Sequence, residues 1–244
     1  MDIKAVKAAR RDQLAGLAAV IARNGHAMLA DAELLLEHQR FGRAYALAAL
    51  AAEEFGKATG VMILALMPDQ MRAIAPAREL LKGHSSKQMG ALLMTALRFG
   101  TPAGGTQQLA GMPVAEVAAL LTDTTAKAQG IDRMKMRGLY ADIGEDGEVW
   151  EPASITSDEA REQFVRARDT AGTAARLISP EFLALVAAPP EEVADLSAGL
   201  FGEWLASSPA ASAEETADQA LAAAARALEW AKTAGFLPAD ELPK

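Results

Sequence analysis

The stretch Arg43–Met67 reads RAYALAALAAEEFGKATGVMILALM. It is dominated by Ala, Leu, Met, Glu and Lys, the residues that lose least on entering a helix. Pro68 follows directly and cannot continue one. The reading is therefore a single long helix. Leu47, Leu50, Glu54, Lys57, Val61 and Leu64 recur along it at spacings of three and four, so they share one stripe. Two members of that apolar stripe are charged, and a charge in a packed seam is costly unless it finds a partner.

Working outward, the same helical texture covers most of the chain. Upstream, a helix is expected from Ile3 to Gln39, with Gly25 inside it or marking a bend. Its stripe runs Leu14, Leu17, Ile21, Asn24, Met28, Asp31, Leu35, His38, apolar in the first half and alternately polar in the second. Downstream, helices are expected over Asp69–Lys82 and His84–Phe99, and Leu80, His84, Lys87, Ala91 and Met94 form a third mixed stripe there. Gly100–Met112 is a turn-rich loop, and Pro113 suits the first turn of a helix that continues to Arg137. Leu139–Glu151 reads LYADIGEDGEVWE, where Asp146-Gly147 between alternating residues predicts a small β-hairpin. Ser157 opens a helix to Ile178. After Pro189-Pro190, two more helical segments, 191–206 and 213–234, flank a Ser/Ala-rich linker at 207–215. The fold class expected is all-α: an antiparallel helical bundle over residues 1–185 with a hairpin insertion near 139–151, then an acidic C-terminal helical appendage over 186–244.

Composition narrows the function. In 244 residues, 51% hydrophobic content supplies a core and excludes disorder of the whole chain. The absence of cysteine removes disulfides, thiolate metal sites and a cysteine nucleophile, and fits a cytoplasmic setting. Aromatic residues at 5% are too sparse for a stacking platform, and a net charge of −8 argues against coating nucleic acid by bulk charge. That charge is uneven. Residues 1–69 carry 8 basic and 8 acidic residues, 70–138 carry 9 and 4, and 139–244 carry 7 and 20. The middle third is thus a basic island, either a solvated face or an anion site. No secretory leader or membrane span is read from the sequence.

Three mixed stripes on helices joined by short turns suggest one shared network near the bundle centre, containing Asp31, Glu54, Lys57, His84 and Lys87. Such a network either fixes helix register or lines an active or anion site; spacing alone does not choose. Other chemistries fit poorly. There is no Glu-x-x-His pair for a di-iron bundle, the three histidines lack zinc spacing, and neither a nucleophile elbow nor a phosphate-binding loop is present.

Four segments in order resemble a known family. They are Asn24–Ala32 (NGHAMLADA), Ala52–Ala58 (AEEFGKA) within Ala44–Ala58, His84-Ser85-Ser86-Lys87, and Arg137–Asp142 (RGLYAD) followed by Gly147, Trp150 and Pro152. Together they resemble the AbiV family of bacterial abortive-infection proteins, a branch of the HEPN superfamily of helical domains, over about residues 10–180. The resemblance implies a toxin-like effector that shuts down translation during phage infection, acting as a metal-independent ribonuclease with no cofactor. Its implied partners are RNA, such as tRNA or rRNA, a phage-encoded activator protein and a second copy of the chain in a homodimer, with no membrane. The superfamily's Arg-x(4–6)-His signature matches Arg78 and His84. On this reading His84 is the general acid/base. Lys87, Lys57 or Arg78 stabilises charge on phosphate, and Asp31 and Glu54 orient the cations. Arg133, Lys135, Arg137 and Tyr140 hold the RNA. The alternative is a non-catalytic effector that binds a ribosomal, tRNA or phage component, its polar network being structural. A metal-assisted hydrolase using Asp31, Glu54 and His84 is disfavoured by the lysines in the same rows.

Overall fold

The computed structural model describes residues 2–66, 87, 88, 91, 114–143, 147 and 149–188. Within them the chain forms α1 (Ile3–Ala8), α2 (Arg11–Glu37), α3 (Phe41–Leu66), α4 (Val114–Leu139), β1 (Asp142–Ile143), β2 (Val149–Trp150), a 3-10 turn (Pro152–Ser154), α5 (Ser157–Leu177) and α6 (Pro180–Ala187). The fold is an all-α bundle with, among the described residues, one small antiparallel hairpin, in which Asp142 pairs with Trp150 and Ile143 with Val149. The expected helices at 69–82, 191–206 and 213–234, the loop 100–112 and the linker 207–215 lie outside the described residues. Of the helix expected at His84–Phe99, Lys87, Gln88 and Ala91 are described and are helical.

The long first helix is broken where the sequence reading ran it through. Ala9 and Arg10 are extended, with ψ 145° and 160°. Local side chains make the break: Gln13 Oε1 accepts the Arg10 N–H at 2.9 Å, and the Arg10 guanidinium pairs with Asp12 at 2.8 Å. The break lets Val6 fold back onto Leu14, Ala18 and Leu64 in the core. Gly25, by contrast, makes no bend. It lies buried inside α2, where a Cβ would come within 3.0 Å of the Phe55 ring.

A three-residue turn reverses α2 into α3. Gln39 donates to the Leu36 carbonyl at 3.1 Å and Arg40 to the Leu35 carbonyl at 2.8 Å, the paired bonds of a Schellman stop. That stop needs a left-handed residue, and Gln39 adopts φ 57° where glycine would be easiest.

Helix α3 is the central rod: α2, α4 and α5 all pack against it. It is accordingly buried nearly all round, through Ala44, Ala48, Ala51, Ala52, Phe55, Ala58, Val61 and Leu64. The seams differ from those read in the sequence. On α2 the buried row is Leu14, Ala18, Ile21, Gly25, Leu29, Ala32 and Leu36, whereas Asn24, Asp31 and His38 are exposed. Small residues occupy the centre of the contact so that the helices approach closely. The larger Leu17, Met28 and Leu35 sit half-buried at its edge. Choosing the bulkiest apolar residues as the seam turns the helix by about one position, roughly 100°.

Close approach is clearest where glycines meet. A Cβ on Gly138 of α4 would strike the Gly42 carbonyl, and one on Gly42 would strike Pro152. A Cβ on Gly56 would strike the Lys87 carbonyl and lie 3.1 Å from the Ala91 nitrogen. α5 begins at an N-cap on Thr156, with Glu159 returning a bond to the Thr156 N–H at 2.7 Å. That hydrogen bond holds the Glu159 carboxyl below its ordinary range. α6, which the sequence reading did not anticipate, starts at Ser179 with Pro180 in its first turn and buries Val186 beside Leu14 and Leu64. Among the described residues, no helix is long and apolar enough to cross a membrane.

Candidate functional site

Glu53 points from α3 into the interior and is 2% exposed. The Lys135 ammonium of α4 donates to its Oε1 at 2.6 Å, and the Lys87 ammonium stands 3.7 Å from its Oε2. Gln88 donates to Oε1 at 3.3 Å and to the Ala49 carbonyl at 2.9 Å. Lys135 meets a second carboxylate, Asp132 Oδ1 at 2.5 Å, one turn earlier on its own helix. Two ammoniums thus face two carboxylates, which is how buried charges are tolerated. Burial would push the Lys135 ammonium down, but the hydrogen bonds and charges of Asp132 and Glu53 outweigh it and raise its pKa above the ordinary lysine value. The Asp132 side chain is 32% exposed, so the network touches water at that corner.

The next residue along α3 faces elsewhere. Glu54 accepts from Lys57 at 3.0 Å and from Asn24 of α2 at 3.1 Å, and the pair is half-buried. Adjacent helical residues diverge by about 100°, so Glu53 and Glu54 serve separate clusters. The shared network expected from the sequence is thereby divided: Lys87 joins Glu53, while Lys57 joins Glu54.

The remaining candidates are dispersed. Asp31 is exposed and has no ion pair among the described residues. Lys135, read as an RNA contact, is instead in the core, committed to Glu53 and Asp132. Arg133 and Tyr140 are exposed. Arg137 donates through Nε to Ser154 Oγ at 2.9 Å, tying α4 to the 3-10 turn. Arg78 and His84 lie outside the described residues. Sequence reasoning missed Glu53 and Gln88 as centres. The available signal was the row Ala46, Ala49, Glu53, Gly56, Gly60, a lone carboxylate on a face too lean to shield it. Among the described residues, no three His, Asp or Glu side chains converge in a group able to hold a metal ion.

The arrangement anchors one motif against another. The Glu53–Lys57 turn carries an inward carboxylate, an outward ion pair and a glycine, Gly56, against which the backbone of Lys87 packs. This is a helical bundle in which Lys87 and Gln88 meet the central helix at Glu53 and Gly56. The chain belongs to the AbiV family, whose HEPN domain profile matches residues 13–172. No curated protein and no solved structure matches it.

Proposed function

We propose that the protein is a cytoplasmic abortive-infection effector that halts translation by cleaving cellular RNA without a metal ion. The observation that carries this reading is the seating of Lys87 against α3, through Glu53 and the side-chain-free surface of Gly56. It brings Lys87, the last residue of the His84-x-x-Lys87 motif, to the Glu-Glu-x-Gly-Lys turn, about thirty residues earlier in sequence. His84 then moves the proton, and Lys57, Lys87 and Arg78 offset charge growing on the phosphate. Glu54 positions Lys57. Asp31, exposed and unpaired among the described residues, is left without a role. Arg133, Arg137 and Tyr140 hold the strand, and a second copy of the chain completes a homodimer. A phage-encoded protein is the proposed trigger.

The test is cleavage of tRNA and total RNA by the purified chain in excess chelator. Cleavage by the wild type and at least a hundredfold loss in His84→Ala and Lys87→Ala are expected. No cleavage by the wild type, or full cleavage by both variants, overturns the reading. One observation favours a second reading, a non-catalytic effector with a structural network: the Lys87 ammonium is only 12% exposed and already faces a carboxylate. RNA or ribosome binding without cleavage would support it.

A further inference from the structure

A second feature lies at the end of the bundle where α2 turns into α3. A cleft of about 540 Å³ opens there between the turn and the 3-10 segment. Its size falls within the roughly 300–1,000 Å³ usual for small-ligand sites. Leu35, Phe41, Pro152 and Ile155 form apolar walls, and Arg40 and Arg43 stand among them. Both arginines are exposed, and among the described residues no carboxylate pairs with either. Arg10 and Arg166, by comparison, pair with Asp12 and Glu162. Glu37 and Glu151, close by in sequence, do not line the cleft. The start of α3 adds its positive dipole end to the same place. Because Gly42 and Gly138 touch, Arg137 of α4 belongs to this end as well.

Gln39 also lines the cleft, and it holds a left-handed backbone that glycine would adopt at lower cost. We infer that this cleft binds a nucleoside phosphate, with the base against Phe41 and the apolar walls and the phosphate on the Arg40 and Arg43 guanidiniums. Planar guanidiniums match phosphate oxygens in pairs, and an aromatic wall accepts any base. The phosphate is either that of a free nucleotide or one in an RNA strand. The inference shares RNA with the proposed function, but it concerns a site separate from the Glu53 and Glu54 clusters.

The experiment compares the full-length wild type with Arg40→Gln/Arg43→Gln, using a labelled ten-nucleotide single-stranded RNA and unlabelled AMP as competitor. Both substitutions are on the surface, and a matching thermal melt confirms folding. The double variant should bind RNA at least tenfold more weakly. The slope of log affinity against log salt should shrink by about 1.4, the value for two phosphate contacts on a single strand. Displacement by millimolar AMP assigns the cleft to a free nucleotide, and RNA binding without AMP binding assigns it to a strand; either supports the site. Wild-type affinity and an unchanged salt slope in the double variant overturn it while leaving the ribonuclease reading intact. A wild type that binds through these arginines but never cleaves overturns the ribonuclease reading and leaves the cleft.

Discussion

Glu53 and Glu54 are the same residue type, one position apart on one helix, and they live in different environments. Glu53 is sealed among Lys135, Lys87 and Gln88, where the low dielectric magnifies both attraction and the cost of a missing partner. Glu54 meets Lys57 and Asn24 at the margin of the bundle, where water and salt weaken the contact. The lesson is that a charge's energetic weight is set by the register of its helix against its neighbours. A rotation of one residue converts a pivot into an edge contact.

The contrast is easiest to break at its buried pole. Glu53→Ala leaves Lys87 without its carboxylate and Lys135 with Asp132 alone, and about 3–5 kcal/mol of stability should be lost in urea unfolding. A loss under 1 kcal/mol would show that Glu53 is not the pivot. Removing both ends sharpens the point. In a cycle of Glu53→Met, Lys135→Met and the double substitution, the double variant should be more stable than the summed singles predict, by about 1–3 kcal/mol. Additive losses would mean that the two side chains do not share their energy.

At the margin, Glu54→Ala should cost only about 0.2–1 kcal/mol, and raising the salt to 1 M should erase most of it while leaving the Glu53→Ala loss largely intact. Equal salt sensitivity at both positions would remove the distinction. The mildest effect is one of pH. The folded pKa of Lys135 is raised, so its contribution is complete below the ordinary lysine value of about 10.4 and fades as pH climbs through the folded value. Tyr45 acts in the same direction, because burial pushes its phenol up to about 12. Stability should therefore decline above about pH 10, and Tyr45→Phe with Lys135→Met should flatten that decline in unfolding curves.

The fold was legible because helix formers, stops and turns are local signals. As sequence signals, Asp146-Gly147 for the hairpin and Ser157 with Glu159 for the start of α5 each concern only a few neighbouring residues. The candidate site was less legible because it depends on which face of each helix is inward. Bulk suggested Leu17, Asn24 and Asp31, whereas packing selected Ala18, Gly25 and Ala32. Lys135 illustrates the same limit. In sequence it belongs to a basic run with Arg133 and Arg137, and only the approach of α4 to α3 shows that it faces inward. The break at Ala9–Arg10 was hidden for another reason: Gln13 caps the start of α2 from N3, but the N-cap itself is Arg10, which residue preferences do not favour there.

The leanness of α3 has a practical result. Ala44, Ala46, Ala48, Ala49, Ala51, Ala52 and Ala58 already hold the least side chain that a mutational survey would leave behind. Truncation scanning would pass over this rod in near silence and mistake the backbone of the molecule for neutral ground. A survey that adds a methyl or two at each position, alanine to valine, would light up the same residues first.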